Sequence, residues 1–267
     1  MIKWQLQNAI AFSLHAKVTG LEKIKVGAVS YLNTKPLLYG ITRSEELIEK
    51  IELITDYPAS IASMLIEDII DIGLVPVAVI PKLSEYNIVG NYCIGAEGDV
   101  ASVCLFSDVP LENIETILLD YQSRTSVNLC KVLLKHYWKI NPALQDAKTD
   151  FRNHINGTTA GVVIGDRALE QRHQSRYIYD LAGAWKAFTG LPFVFAAWIA
   201  NKKLPEDFCT LFNKANGIGL QHLPEVIAEN PYMVYSLNTY YTQNISYELT
   251  DEKRKGLQLF LELLKTV

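Results

Sequence analysis

The sequence lacks the charge pattern that binds nucleic acids or anionic membranes. Its 267 residues include 25 Lys and Arg against 29 Asp and Glu, which gives a formal net charge of −4. Without an excess of basic residues there is no positive field to hold a polyanion. The composition therefore predicts neither nucleic acid nor a membrane as a partner, and an anionic ligand would have to be held by local donors.

Long apolar runs are also missing. No stretch approaches the 18 consecutive apolar residues that a membrane-spanning helix needs. Residues 1–20 contain a mildly apolar run, but polar residues interrupt it and no Ala-x-Ala cleavage site follows, so an export signal is not predicted. We interpret residues 1–20 as an N-terminal extension of unknown purpose and expect a cytoplasmic protein.

Cysteine and histidine are few and dispersed. The four cysteines form no CxxC pair, and none of the five histidines lies four residues from another histidine or from a cysteine. This spacing favours buried thiols in a reducing compartment over a disulfide framework or a zinc site. The GxSxG signature of serine hydrolases is absent as well. We therefore predict no metal and no cofactor.

The chain does have the composition of a globular protein. Hydrophobic residues make up 49% of it and charged residues 20%, values close to the average for folded domains. A chain of this length forms one large domain or two ordinary ones and buries roughly three quarters of its unfolded surface. A substantial core is therefore expected.

A strand, a polar turn and a helix follow one another in the stretch KVGAVSYLNTKPL, residues 25–37. Residues 25–29 are apolar after the first and predict a short buried strand, and Pro36 suits the first turn of a helix. Open α/β sheets bind ligands at such turns, although an ordinary βα loop has the same pattern. The candidate ligand contacts in this turn are Ser30, Tyr31, Asn33 and Thr34.

Two later turns repeat the scheme. A strand at 114–120 leads into the loop YQSRTS and a helix over 127–138, and a strand at 159–164 leads into a Gly-Asp turn and a second helix. Hydroxyl residues at a helix start either cap it or leave backbone N–H groups free for an anion. Asp166 is either the N-cap of its helix, which the pattern favours, or a ligand contact. The candidates from these turns are Arg124, Thr125, Ser126 and Asp166.

Two extended segments bracket this middle block. Residues 100–107 predict a strand on which Ser102 shares a face with Cys104 and Phe106, and residues 193–200 predict a strongly apolar strand. Such paired crossovers are typical of a two-lobed molecule with a cleft between the lobes. We therefore assign 21–106 and 200–267 to one lobe and 107–199 to the other.

Five blocks of the chain together resemble a known family. They are VGAVSYLNTKPL, GDVASVCLFS, YQSRTSVNL, VVIGDRAL and WKAFTGLPFVFAAW, and the similarity runs over roughly 23–264. They are similar to the chorismate dehydratases of the futalosine route to menaquinone. The resemblance implies an α/β, two-lobed, periplasmic-binding-protein-like fold of type II with a ligand cleft between the lobes.

The resemblance also implies an activity and two catalytic residues. The activity is removal of water from chorismate to give 3-[(1-carboxyvinyl)oxy]benzoate, and Asn33 and Ser102 fall on the family's functional Asn and Ser. Lys35 stands where many members have Arg, which keeps the charge but loses the bidentate fork. Because Asn and Ser are poor bases at neutral pH, the proton acceptor is one of the substrate's carboxylates or Asp166.

Other functions remain open on the sequence. A transport-type solute-binding protein shares the fold but ordinarily carries an export signal or a lipid-anchor cysteine. The sister enzyme of the same pathway, which makes dihydroxynaphthoate, would be expected to carry a Pro-Asn-Asp turn and a catalytic His. A ligand-sensing regulatory domain is a third alternative. The oligomeric state stays open, a homodimer included.

Overall fold

A computed structural model describes residues 23–267 of the chain. The predicted extension, 1–20, lies outside the described residues. Within the described range, eleven strands form two mixed sheets, and no helix there is both long and apolar enough to cross a bilayer.

The first sheet has six strands, with parallel pairing at one edge and antiparallel pairing at the other. β3 and β2 pair in parallel with β1 on either side, whereas β10 runs antiparallel to both β3 and β4. In spatial order its strands are β11 (Ser246–Glu248), β4 (Asn87–Ala96), β10 (Phe193–Ala200), β3 (Ile72–Pro76), β1 (Ile24–Val29) and β2 (Ile51–Asp56).

The second sheet has five strands and repeats this mixture. β6 pairs in parallel with β7 and β8, and β5 runs antiparallel between β8 and β9. In spatial order its strands are β7 (Ala143–Asp146), β6 (Thr116–Leu119), β8 (Thr159–Ile164), β5 (Val103–Ser107) and β9 (Tyr177–Asp180). We refer to the parts of the chain built on the first and second sheets as lobe 1 and lobe 2.

Helices connect most of the strands. Short 3₁₀ turns also occur, two of them at Leu32–Thr34 and Val77–Lys82, and single π turns span Leu134–Trp138 and Tyr240–Asn244. The α-helices are α1 (Lys35–Ile41), α2 (Glu45–Lys50), α3 (Pro58–Ile66), α4 (Thr125–Leu133), α5 (Asp166–Gln171), α6 (Leu181–Thr189), α7 (Glu206–Gln221), α8 (Leu223–Glu229), α9 (Leu237–Thr239) and α10 (Asp251–Leu264).

The sheets divide the chain one strand earlier than the predicted lobe boundaries. β5 belongs to the second sheet and β10 to the first, so the chain crosses between sheets before each of these strands. The prediction assigned 100–106 to lobe 1 and 193–199 to lobe 2. An apolar strand carries no local mark of the sheet it joins, because either sheet buries it equally well.

The segment before β5 also departs from its prediction. The strand begins at Val103 rather than at residue 100, and Ala101 has a positive φ of 64°. A left-handed residue interrupts extended backbone, so Ser102 lies before β5 and not on one strand with Cys104 and Phe106. Those two side chains join a small buried cluster in lobe 2.

Close helix packing holds α1, the helix that follows the first polar turn. A Cβ on Gly40 of α1 would lie 2.0 Å from the carbonyl oxygen of Ala215, and one on Gly219 of α7 would lie 1.8 Å from that of Pro36. Only glycine allows two helices to approach this closely. The contact anchors the start of α1, and with it the turn that carries Asn33, against the core of lobe 1.

Candidate active site

One cavity lies where the two sheets face each other, with about 550 Å³ of empty space including its open mouth. Strands of both lobes and the turns at their ends contribute to its wall, as the two-lobed arrangement predicts. The lining residues are Val29, Tyr31, Asn33, Thr34, Pro58, Leu74, Pro76, Ile94, Val100, Ser102, Val103, Ser123, Thr125, Ser126, Ile164, Gly165, Phe195 and Ala196.

The lining is apolar with a set of neutral hydrogen-bonding groups. None of the eighteen lining residues carries a formal charge at neutral pH. Its polar side chains are hydroxyls and one amide, which donate or accept without the desolvation cost of a buried ion. The cavity therefore suits a small molecule with an apolar ring or chain whose polar groups are held by directed hydrogen bonds.

Lobe 1 contributes the turn after β1. Asn33 and Thr34 lie in the 3₁₀ turn Leu32–Thr34, and the Thr34 hydroxyl donates to Asn33 Oδ1 over 3.2 Å. The hydroxyl of Tyr247 donates to the Asn33 carbonyl oxygen at 3.0 Å. These two contacts hold the turn in place and orient the Asn33 amide. The Nδ2 group of Asn33 is then the donor available to a ligand.

The crossover between β4 and β5 contributes Ser102, whose side chain is fully buried. The carboxylate of Asp180 accepts the backbone N–H groups of Val100 at 3.1 Å and of Ala101 at 2.7 Å. Gly165 N donates to the Ser102 carbonyl oxygen over 2.8 Å. We call residues 97–102 the serine turn; contacts from distant parts of the chain hold it in place.

The start of α4 contributes a second group of hydroxyls, which we call the helix-start turn, residues 120–126. Ser126 N donates to Ser123 Oγ at 3.0 Å, and Gln122 N donates to Asp120 Oδ1 at 2.9 Å. Thr125 Oγ1 accepts the N–H of Ala78, in lobe 1, at 3.2 Å. The N–H of Thr125, the first residue of α4, has no protein acceptor among residues 23–267, so this end of the helix suits an anionic group.

Six of the nine predicted site residues line the cavity together, and three do not. The six are Tyr31, Asn33, Thr34, Ser102, Thr125 and Ser126. Ser30 is exposed outside the lining, and Arg124 Nη2 donates to Ser63 Oγ over 3.1 Å.

Asp166 is the first residue of α5, and Gly165 is its N-cap, so the prediction that Asp166 caps the helix is wrong. Its Oδ1 instead accepts the N–H of Leu32, in lobe 1, at 3.2 Å. The reason is tertiary: the other lobe offers this carboxylate a free N–H of its own 3₁₀ turn. Burial raises the pKa of Asp166 above its ordinary value, although this hydrogen bond lowers it.

A polar cluster beside the cavity joins the lobes. The Tyr31 hydroxyl, from lobe 1, donates to Gln122 Oε1, which also accepts from Arg167 Nη2 at 2.9 Å. The same guanidinium contacts both oxygens of the buried Asp120 carboxylate at 2.8 Å. Burial raises the pKa of Tyr31, so its hydroxyl stays protonated and donates across the cleft.

Ser123 and Tyr240 are site residues that the sequence analysis missed. Ser123 lines the cavity, and its Oγ accepts the N–H of Ser126 in the first turn of α4, although Arg124 is the N-cap residue. The Tyr240 hydroxyl lies 2.7 Å from Ser102 Oγ, although 138 positions separate the two residues. No local pattern could have revealed that contact.

Neither cysteines nor metal ligands contribute to the site. All four cysteine thiols are free, and burial raises the pKa of Cys93 and of Cys130 to about 12. Thiols held protonated in this way are poor nucleophiles. In the part of the chain that the structure describes, no three His, Cys, Asp or Glu residues are grouped as a metal ion requires.

Solved structures with the same architecture come from several organisms. A protein from Archaeoglobus fulgidus superposes with a TM-score of 0.69 at 13% identity, covering 91% of this chain and 97% of its own. A Candida albicans gene product described as exhibiting the generic periplasmic binding protein fold superposes with a TM-score of 0.62 at 14% identity, covering 92% and 91%. The predicted fold class is confirmed: the chain has the periplasmic-binding-protein fold.

Comparison of sequences is more specific about the family than comparison of folds. The chain is 25% identical to a protein of Thermus thermophilus named chorismate dehydratase, over 90% of this chain and 94% of the relative. That name suggests an enzyme. A family model described as menaquinone biosynthesis matches residues 24–266, nearly all of the described chain, and the chain therefore belongs to the menaquinone biosynthesis family.

Proposed function

We propose that this protein is a chorismate dehydratase, a carbon–oxygen lyase that converts chorismate to 3-[(1-carboxyvinyl)oxy]benzoate and water in menaquinone biosynthesis. The observation that carries the proposal is that Asn33 and Ser102 line one cavity although they come from separate turns. Membership of a menaquinone biosynthesis family and the name of the Thermus thermophilus relative support the same reaction.

The reaction depends more on the orientation of the substrate than on a strong acid or base. A proton leaves C3, its electron pair forms the C3–C4 double bond, and the C4 hydroxyl departs to complete one water. Because the ring becomes aromatic, the overall change is favourable. Donors aimed at the departing oxygen stabilise the charge that develops on it, and a preorganised donor contributes on the order of 100-fold in rate.

We assign the two carboxylates of chorismate to two parts of the cavity. The helix-start turn, with the hydroxyls of Thr125 and Ser126 and the N–H of Thr125, suits one of them. Asn33 Nδ2 and Ser102 Oγ then serve the other carboxylate and the departing hydroxyl. Because the lining is uncharged, the substrate remains the only ionic group in the cavity.

One of the substrate's own carboxylates is the proton acceptor in this proposal. Asp166 is the protein alternative, but it is outside the cavity lining and its Oδ1 is engaged by the N–H of Leu32. A base must come within hydrogen-bond reach of the proton that it removes. Asp166→Asn should accordingly keep most of the turnover, whereas an inactive Asp166→Asn enzyme would identify a protein base.

Closure of the lobes over the substrate completes the proposal. Hydrogen bonds from Tyr31 to Gln122 and from Ala78 to Thr125 cross the cleft beside the cavity. They have to open for a ring compound to enter, and closing them again excludes water from the reaction. We expect small-angle scattering to show compaction when the product saturates the protein, and an unchanged radius would contradict closure.

The experiment that tests the function incubates the full chain with chorismate and follows the new aromatic absorbance, with the product identified by mass spectrometry. We expect Asn33→Ala and Ser102→Ala each to lower kcat/KM about 100-fold or more. Ser84→Ala, at an exposed serine outside the cavity, is the matched control. Full activity of either site variant contradicts the assignment, and wild-type binding without turnover favours a solute-binding protein instead.

A further inference from the structure

Three tyrosines of one C-terminal segment donate to three separate site elements. Tyr247 donates to the Asn33 carbonyl oxygen at 3.0 Å, and Tyr232 donates to the Asp166 carbonyl oxygen at 3.2 Å. Tyr240 donates to Ser102 Oγ at 2.7 Å. Only the contact of Tyr240 reaches a side chain that lines the cavity, so it alone can change what that side chain offers a ligand.

The surroundings of Tyr240 decide the direction of its hydrogen bond. Tyr240 is fully buried, and Ser102 Oγ is the one hydrogen-bond partner of its hydroxyl among residues 23–267. If Ser102 donated instead, the phenolic hydrogen would be buried without an acceptor and would carry the full desolvation penalty. The phenol is therefore the donor and the serine oxygen is the acceptor.

This direction determines what Ser102 presents to the cavity. A serine hydroxyl has one hydrogen, and the lone pair that faces Tyr240 is already occupied. Ser102 Oγ has no other protein partner in the described chain, and Ser102 lines the cavity. Its hydrogen is left to point at the ligand.

We propose that Tyr240 is a positioning residue, which holds the Ser102 hydroxyl as a hydrogen-bond donor aimed at an oxygen of the bound substrate. The inference rests on the proposed function, in which that oxygen is the departing C4 hydroxyl. No proton leaves Tyr240 during the reaction. Burial raises the pKa of Tyr240 far above the ordinary value of a phenol, which keeps its hydrogen in place.

The kinetic test is Tyr240→Phe, which removes the hydroxyl and keeps the ring that packs on Tyr235 and Tyr241. We expect kcat to fall about 10-fold or more while KM changes less than about twofold, because the donor is needed most in the transition state. Tyr241→Phe is the matched control, since its buried hydroxyl has no partner among the described residues, and its kcat should stay at the wild-type value. A wild-type kcat in Tyr240→Phe overturns the proposal.

A double-mutant cycle separates positioning from general support of the fold. In an enzyme that already carries Ser102→Ala, adding Tyr240→Phe should cause no further loss of kcat, because the tyrosine acts through the serine. If Tyr240→Phe slows both backgrounds equally, or raises KM with kcat unchanged, the proposal is wrong.

Thermal unfolding tests the donor direction without any turnover. Ser102→Ala removes the acceptor and leaves the phenolic hydrogen buried, so the midpoint should fall by about 5 °C. Adding Tyr240→Phe should restore most of that loss. Failure to restore it overturns the direction of donation, whereas a wild-type protein that does not convert chorismate overturns only the proposed function.

Discussion

The serine turn and the helix-start turn both bring hydroxyls to the cavity, but their serines are held differently. In the helix-start turn Ser123 has a local partner, because Ser126 N donates to Ser123 Oγ three residues away, although Thr125 and Gln122 of the same turn also contact lobe 1. The serine turn is held from outside, by the Asp180 carboxylate, 79 and 80 positions away, and by Tyr240. Ser123, in the turn proposed to hold a carboxylate of the ligand, therefore depends on a near neighbour, whereas Ser102, in the turn proposed to act in catalysis, depends on residues far along the chain.

From that comparison we expect Asp180→Ala to cause the largest loss of stability and of kcat. Besides the two N–H groups of the serine turn, the Asp180 carboxylate accepts those of Ala182 and Gly183 at the start of α6. Removing it leaves four donors unpaired and should cost about 3 kcal/mol, a fall in Tm of about 6–12 °C, together with a loss of kcat. Asp180→Asn, which keeps one acceptor oxygen, should lose less. Equal calorimetric midpoints for wild type and Asp180→Ala would contradict the conclusion that Asp180 holds the serine turn in place.

A somewhat smaller loss of stability and kcat is expected for Gly165→Ala. Gly165 lies in lobe 2 and contacts the serine turn. Gly165 has φ 65° and ψ −148°, and a Cβ there would lie 3.1 Å from the Tyr31 ring. That backbone region is essentially restricted to glycine and should cost about 2 kcal/mol. Because Gly165 N donates to the Ser102 carbonyl, kcat should fall as well. Gly157→Ala, also at positive φ but with open space around it, is the control for backbone strain alone.

Ser123→Ala should have a milder and different effect, because it acts on the helix-start turn. The substitution leaves Ser126 N without its acceptor and should cost about 1 kcal/mol. We expect KM for chorismate to rise a few-fold with kcat nearly unchanged, since in our proposal this turn holds the ligand in both ground and transition states. Ser123→Asp restores an acceptor oxygen but adds a charge, so it should regain stability without regaining affinity. A lower kcat with normal KM would reverse the roles of the two turns.

The smallest effect is expected for Asp166→Asn, and it is a pH effect. Burial raises the folded pKa of Asp166 above its unfolded value, so the folded state binds more protons over the interval between the two pKa values. Wild-type stability therefore loses this contribution as the pH rises through that interval. The amide oxygen still accepts from Leu32 N and does not titrate. In denaturant unfolding, the stability of the variant relative to wild type should rise slightly as the pH increases above about 4, the unperturbed pKa of Asp, and an opposite trend would contradict the assigned direction.

Local signals explain which parts of the fold were predictable. The strand before Ser30 and the helix start at Pro36 were predicted because a few neighbouring residues determine each of them. β9 and β11, of four and three residues, were missed because such short strands show no alternation. The predicted assignments of β5 and β10 to lobes failed because sheet membership is a long-range property.

The residues of the candidate site also differ in whether local sequence signals could predict them. Ser126 and Thr125 could be predicted from the helix start, and Asn33 from a polar turn after a buried strand. Ser102 was predicted to lie within a strand, but the strand begins at Val103, because the positive φ of Ala101 cannot be read from the neighbouring residues. Asp166 was predicted to cap its own helix, whereas its carboxylate accepts an N–H from the other lobe. The proposed roles of these residues in catalysis stay predictions.

By itself the sequence determined that polar turns follow buried strands, that the chain has no excess of basic residues, and that it resembles a family, because composition and short-range spacing carry this information. Only the tertiary structure decided which hydroxyls share one cavity and which residues hold them in place. Hydrogen bonds between residues far apart in the chain, such as that from Tyr240 to Ser102, form only after the strands have taken their places in the two sheets.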